Sequence, residues 1–281
     1  MQCTKAIIPV AGFGTRRLPI TKVIEKCMLP ILNRPIIDYV VEDCIKAGIS
    51  DIYFVVSPGA SQVREYYEKA PKLEQYLKSQ HKEAMMPLIT PPTSVQFHFV
   101  QQDTSVGAPY GTSVPVWLCR EFIEPDEHVL VLMGDDFIYN ADGSSEAARL
   151  LAAVQSSGAS AGMLGVEVLP EQASHYGVIE SRQRDTHREF VAIQEKPAPG
   201  EAKSNLVNIS KYLFDAAFFA YVDKDIARDK TAEYHLTDVL NAYVAAGNAI
   251  AVVPAVGEYL DSGNVVYWLY ANQVVAQHEL S

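Results

Sequence analysis

The hydrophobic positions of this chain fall into short continuous runs separated by stretches with helical spacing. Ile7, Ile8 and Val10 form the first run, of the kind a strand buried on both faces shows. Ile37, Val40, Val41, Cys44 and Ile45 then keep the i, i+3, i+4, i+7, i+8 spacing of an amphipathic helix, with Gly48 where a C-terminal cap belongs. Ile52 to Val56 reads as a second buried strand. Strand, turn, helix and strand within about fifty residues predict a parallel sheet with right-handed crossovers.

Residues 60–85 are rich in charge and Tyr and predict surface helix, Pro87–Pro92 a loop and Val95–Val100 a strand. A helix is expected over Pro115–Phe122, with Ser113 near its start. Val129–Met133 is a third buried strand running into Gly134-Asp135-Asp136, and Ala147–Val154 a helix before the strand Ala161–Val168. The pattern then changes. Val178–Glu180 and Glu189–Ile193 predict a hairpin, Asn205–Ile209 a strand and residues 212–222 a Phe-rich helix. Leu236–Ala246 predicts a helix, Ile250–Val253 a strand and Val265–Ala276 the closing helix. No repeat, low-complexity tract or linker interrupts the order. The expected fold is one α/β domain over residues 1–281: a Rossmann-like, mostly parallel sheet flanked by helices, with a smaller lobe from about residue 161.

Composition narrows the partners. Of 281 residues 48% are hydrophobic and 20% charged, ordinary values for a soluble globular protein. The formal net charge of −11 argues against a nucleic-acid binder, which carries a basic face. It also means that a polyanionic substrate needs a local cationic pocket. Cys3, Cys27, Cys44 and Cys119 have no metal-like spacing, which fits reduced thiols in a cytosolic protein. No signal peptide is read at the N-terminus, and no segment approaches the roughly 20 apolar residues that cross a bilayer. The expectation is a soluble cytoplasmic protein with no membrane partner.

The candidate chemistry starts directly after the first strand. In Ala11-Gly12-Phe13-Gly14-Thr15-Arg16-Arg17, glycines let backbone N–H groups close on a phosphate, and the arginines add charge-assisted hydrogen bonds. Lys22 and Lys26 stand one turn apart if that part is helical, so that both point at one anion. A dinucleotide fingerprint would need a third glycine and a helix opening at once, where Pro19 and Thr21 stand; a P-loop would need Gly-Lys-Ser/Thr. Gly-x-Gly alone is as readily a turn between core elements. Asp135, past the strand Val129–Met133, and Asp261, past the run Val252–Tyr259, lie where open α/β sheets keep ligands, and both suit a hard cation such as Mg²⁺. Turn-capping and helix-capping roles for the two aspartates remain open at this point. In Ile193-Gln194-Glu195-Lys196-Pro197, neighbouring side chains on a strand face opposite ways, so Glu195 and Lys196 need separate partners.

The stretch Gly12-x-Gly14-Thr15-Arg16-x-x-Pro19-x-Thr21 with Lys26-Cys27-Met28-Leu29-Pro30 resembles the signature of sugar-1-phosphate nucleotidyltransferases, nearest the bacterial uridylyltransferases that act on UTP and glucose 1-phosphate. Further motifs follow in order to about residue 276. The resemblance implies that Ala11, Gly12, Gly14 and Thr15 hold the triphosphate, with Arg16 and Lys26 on the leaving pyrophosphate and the phosphates. It implies that Gln102 and Gly107 read the base, and that Asp135 and Asp261 bind a catalytic Mg²⁺ with Asp136 contacting substrate. Gly177 of Tyr176-Gly177-Val178, Glu195, and Asn205 of Ser204-Asn205-Leu206 fall on the sugar pocket, and Lys196 on the sugar phosphate. Residues to about 160 then form the nucleotide part and the rest the sugar part, in a homo-oligomer (dimer or tetramer). Glu233 and Leu236-Thr237-Asp238 match a more structural motif. Cys27 replaces a Glu, Pro109-Tyr110 replaces Gly-His and Val265 replaces a Lys. These departures leave dTTP or another sugar 1-phosphate as alternatives, beside a non-catalytic sugar-nucleotide-binding homologue.

Overall fold

The computed structural model describes residues 1–184, 187–228 and 233–280. In chain order the elements are β1 Gln2–Pro9, the two-residue strands β2 Pro30–Ile31 and β3 Arg34–Pro35, α1 Ile36–Lys46, β4 Asp51–Val56, α2 Gln62–Tyr67, α3 Pro71–Ser79 and β5 Gln96–Gln101. They continue as α4 Ser113–Leu118, β6 Glu127–Leu132, β7 Asp136–Tyr139, α5 Glu146–Ser157, β8 Ala161–Glu167, β9 Gly177–Gln183 and β10 Arg188–Glu195. The last are β11 Leu206–Asp215, α6 Phe219–Ile226, α7 Leu236–Ala245, β12 Ile250–Pro254, β13 Glu258–Asp261 and α8 Val265–Glu279.

Nine strands form one sheet in the order β5-β4-β1-β6-β11-β8-β12-β10-β9. The apolar runs are continuous because this sheet is covered on both sides. Ala6, Ile8, Ile52 and Phe54 pack on one face with residues of α1, α5 and α8. Ile7, Tyr53, Val55, Val129 and Val131 pack on the other with residues of α4, α6 and α7. Alternate residues of one strand thus serve two cores.

The expected mostly parallel sheet is corrected to a mixed one. β5, β4, β1 and β6 pair in parallel, as do β8 and β12. β11 enters between β6 and β8 antiparallel to both, and β10 runs against β12 and β9. Burial on two faces sets an apolar run, but nothing in such a run records strand direction. The helix expected over 212–222 is likewise half strand. Tyr212 and Phe214 face one core while Leu213 faces the other, so β11 continues to Asp215. Asp215 then accepts from Phe218 N–H at 3.0 Å and starts the turn that leads into α6.

Two small devices join the last third of the chain to the first. β13 pairs antiparallel with β7, a strand the apolar pattern did not reveal, with Asp261 opposite Asp136. Asp261 therefore ends a separate two-stranded ladder rather than following a long strand from Val252. Asp43 of α1 caps α5: its carboxylate accepts from Ser145 Oγ at 2.5 Å and from Ala147 N–H at 3.2 Å. The fully buried Glu146 then takes Val256 and Gly257 N–H on one oxygen, each at 2.8 Å, fixing the loop before β13. Replacing Asp43 by Ala strands the hydroxyl and the N–H of the α5 start. Asp43→Ala is expected to lower unfolding free energy by about 1–3 kcal/mol in urea titrations, with Asp43→Asn losing less.

Candidate active site

A cavity of about 570 Å³ opens past the ends of β1, β5 and β6 and collects six of the sequence-predicted residues: Ala11, Gly12, Lys26, Gln102, Gly107 and Asp135. Position past parallel strand ends is where α/β sheets bind ligands. Gln102 is nearly buried and its backbone N–H is tied to Val56 O at 2.9 Å, so its amide is held in the wall. Gly107 has φ +91°, a conformation that a side chain resists, and lets the loop over residues 103–111 fold across the opening. Cys27 lines the same cavity with its thiol buried, and burial raises its pKa well above the ordinary value.

The segment after β1 is three successive single turns, Thr15–Arg17, Ile20–Lys22 and Lys26–Met28, and not a helix. Lys22 consequently sits exposed on a different turn from Lys26, and the expected alignment of their ammonium groups is corrected. Gly14 does not face the cavity. It takes φ +64° and packs so closely that a Cβ would lie 3.0 Å from Thr21 Cγ2 and 3.1 Å from Lys26 Cβ. Thr15 and Arg16 are exposed beside it. Arg17 is buried, hydrogen-bonds Ser262 O and lies over the Trp268 ring at 5.7 Å, so it ties the segment to α8 rather than offering itself to phosphate. Glu25 fastens the other end: one carboxylate oxygen accepts from Ser61 and Gln62 N–H at 2.9 and 2.8 Å. The Gln62 side chain returns the bond, accepting from Glu25 N–H and donating to Val23 O, each at 2.8 Å.

The carboxylates divide into an open pair and an engaged one. Asp135 is about a third exposed and ion-paired with Lys26; burial pushes its carboxyl up, but Lys26 pulls it below the ordinary range. Ser262 Oγ donates to Asp135 O, which brings the Asp261-Ser262-Gly263 loop against the Asp135 turn. Among the described residues the Asp261 carboxylate accepts only from Gly263 N–H, at 2.6 Å. The Arg16 guanidinium stands beside that loop, 3.3 Å from where a Cβ on Gly263 would be. Asp136, by contrast, is committed: one oxygen pairs with the buried Lys211 and the other accepts from Tyr259 OH at 3.0 Å. Its carboxyl is pushed up to about 6 by burial, with Lys211 pulling the other way. Each oxygen of Asp136, expected to contact substrate, thus already has one partner within the protein. Lys211 and Tyr259 were not legible as site residues, because each reads as an ordinary strand position.

Farther along the chain, Gly177 and Glu195 are cross-strand partners at the open end of the β9–β10 hairpin. A Cβ on Gly177 would lie 3.0 Å from Glu195 Oε2, so the glycine makes room for that carboxylate. Lys196 follows with φ +42°, which turns the chain off the strand; its N–H donates to Tyr176 O at 3.1 Å. Glu195 and Lys196 are both exposed, and among the described residues Lys196 has no ion-pair partner. Asn205 is exposed, with its carbonyl tied to Val168 N–H at 2.9 Å. None of these four lines the first cavity. Tyr176 lines a second one of about 540 Å³, with Tyr259, Tyr267, Tyr270 and Asp261. Asp135 thus edges one cavity and Asp261 the other.

The loop over residues 103–111 is closed by a segment from the second half of the chain. Glu233 lines the first cavity, Tyr234 N–H donates to Tyr110 O at 2.9 Å, and Ser113 N–H donates to Tyr234 O at 3.0 Å. Thr112 Oγ1 accepts from Leu236 N–H at 2.8 Å, capping α7. The cavity past the strand ends, edged by Lys26, Asp103, Asp135 and Glu233, is placed where α/β enzymes bind their ligands. The chain belongs to the nucleotidyl transferase family, whose model matches residues 5–278. It is 33% identical over 239 residues to the UTP–glucose-1-phosphate uridylyltransferase of Bacillus subtilis, covering 84% of this chain and 78% of that one. It superposes on a UTP-bound UGPase from Acinetobacter baumannii with TM-score 0.87 and 26% identity, over 99% of this chain and 95% of that one. A UDP-glucose pyrophosphorylase complexed with UDP-glucose matches at TM-score 0.80 and 26% identity, over 99% of each chain.

Gly111 is the tightest point of the base-side clasp. It has φ +116°, and a Cβ would stand 2.4 Å from Tyr234 O and 2.6 Å from Tyr234 N. Gly111→Ala is therefore expected to push the loop off the 233–236 segment and weaken nucleotide binding by calorimetry at least about tenfold, or 1.4 kcal/mol. Parental affinity in a folded variant would show that the clasp does not shape the cavity.

Proposed function

We propose that this chain transfers the uridylyl group of UTP to glucose 1-phosphate, giving UDP-glucose and pyrophosphate. The observation that carries this reading is the large cavity running from Gln102 to the Lys26–Asp135 pair, set in a fold shared closely with UGPase structures. An oxygen of the sugar phosphate attacks the α-phosphorus in line, and the attacking group is already an anion. No general base is needed. In-line positioning and neutralisation of phosphate charge supply the acceleration.

The roles that this reading assigns are these. Ala11 and Gly12 present backbone to the triphosphate, and Gly14 and Thr15 shape the turn behind it. Arg16 steadies the departing pyrophosphate and Lys26 the phosphates. Gln102 addresses the pyrimidine edge with a donor and an acceptor, and Gly107 gives the loop its turn. Gly177, Glu195 and Asn205 meet the sugar, and the unpaired Lys196 takes its phosphate. Asp135 and Asp261 would hold a magnesium ion. Two carboxylates with room for substrate phosphate suit Mg²⁺, which is usually bound by one or two carboxylates plus phosphates rather than by a protein cage. Among the described residues no group of three His, Cys, Asp or Glu forms such a cage. The ion, when bound, neutralises charge between the two phosphates.

A panel of nucleoside triphosphates against hexose 1-phosphates, read by pyrophosphate release, tests the reading directly; no release with UTP and glucose 1-phosphate would sink it. UTP is expected to lead, with dTTP within roughly tenfold. Pro109 donates no hydrogen bond and Cys27 only a weak one, and one such bond is worth about 0.5–1.5 kcal/mol. Asp135→Asn and Asp261→Asn are each expected to abolish turnover in a folded protein; full activity in either makes that carboxylate structural. Lys196→Ala should lower kcat/KM by about 2–4 kcal/mol, chiefly through the sugar phosphate. Parental kinetics would remove Lys196 from the site.

A further inference from the structure

We propose that Lys211 is a positioning residue, whose ammonium holds Asp136 away from the divalent cation and fixes the turn that presents Asp135. The inference rests on the reading that Asp135 and Asp261 hold a divalent cation. The Lys211 side chain is 3% exposed, so it reaches no substrate. Its ammonium has three N–H groups and finds three oxygens: Met133 O at 2.8 Å, Asp136 O at 3.1 Å and Asp136 Oδ1. The Met133–Asp136 turn is therefore wrapped around a fixed positive charge. From the opposite side the turn is closed by packing, since a Cβ on Gly134 would lie 2.6 Å from Val10 Cγ1 and 2.8 Å from Ile37 Cδ1.

A local irregularity delivers the lysine. The β11–β8 register shifts between Asn208 and Tyr212, Ser210 takes φ +53°, and Ser210 N–H is received by Asn208 Oδ1 at 3.1 Å. Bulges of this kind re-aim side chains beside active sites. Asp136 lies between Asp135 in sequence and Asp261 across the β7–β13 ladder. Left unpaired there, its carboxylate would compete for any cation held by the other two. Lys211 and Tyr259 occupy its two oxygens instead, whereas Asp135 gives only one oxygen to Lys26 and Asp261 accepts on only one of its own, which leaves those two as the ligand pair.

The test uses the full-length chain and Mn²⁺ as the probe ion, with free Mn²⁺ read by electron paramagnetic resonance and turnover measured in parallel. Lys211→Met keeps the length and removes the charge. It is expected to tighten Mn²⁺ binding about tenfold, because a freed carboxylate joins the site. The same variant should lower kcat at least about a hundredfold with the KM for UTP within about threefold, because the ion is then misplaced. Lys211→Arg should return Mn²⁺ affinity to within about threefold of the parent and recover most of kcat. A merely structural lysine predicts weaker ion binding in Lys211→Met, and that result, or parental affinity and kcat, overturns the proposal. If Lys211→Met does not fold, Lys211→Met/Asp136→Asn removes both charges. With no carboxylate freed, Mn²⁺ affinity within about threefold of the parent supports the role, and a change of about tenfold in either direction overturns it. Absence of Mn²⁺ binding by the parent ends the cation reading itself; equal binding by parent and Lys211→Met ends only the role of Lys211.

Discussion

The short antiparallel ladder between β7 and β13 is the constraint on which the site depends. It sets Asp261 opposite Asp136 and brings residues remote in sequence to one corner. Two four-residue strands are too little to hold together alone, since an isolated two-stranded ribbon is marginal in water. The surroundings supply the rest. Glu146 fixes the loop that enters β13, Asp43 fixes the helix that carries Glu146, and Ser262 fastens the loop that leaves β13 to the Asp135 turn. A buried, fully bonded carboxylate is strongly directional because any displacement leaves it unsatisfied.

Much of this was legible in the sequence, for reasons that can be stated residue by residue. Runs such as Ile52–Val56 must be strands because a two-faced core needs them, and α1 follows from its apolar stripe. The Gly12–Pro30 motif located the nucleotide cavity because backbone approach to phosphate restricts residue choice. What escaped is what local pattern does not encode. Strand direction left β11 unassigned between β6 and β8. The β7 strand is short and its polar start carries chemistry, so it has no apolar period. Lys211 and Tyr259 owe their importance to partners far away in sequence. Gly14 and Arg17 lie within the motif, yet they support it from behind: a glycine in a motif can serve packing as easily as ligand approach.

The geometry also accounts for how an acidic protein handles two polyanions. The net charge of −11 is no obstacle when the cations are concentrated. Lys26 lines the first cavity beside Asp135, Arg16 stands beside the Asp261-Ser262-Gly263 loop, and Lys196 follows the end of β10. Asp135 and Asp261 are paired or hydrogen-bonded, so the local field is set by a few fixed groups rather than by the total.

The double grip of Glu25 and Gln62 has a thermodynamic consequence. Four hydrogen bonds at about 2.8–2.9 Å fasten the loop that precedes Lys26 to the start of α2. Order imposed in this way is paid when the chain folds, not when a ligand arrives. The wall of the site around Lys26 is therefore in place before a nucleotide arrives, and little of the entropic penalty of association falls on it.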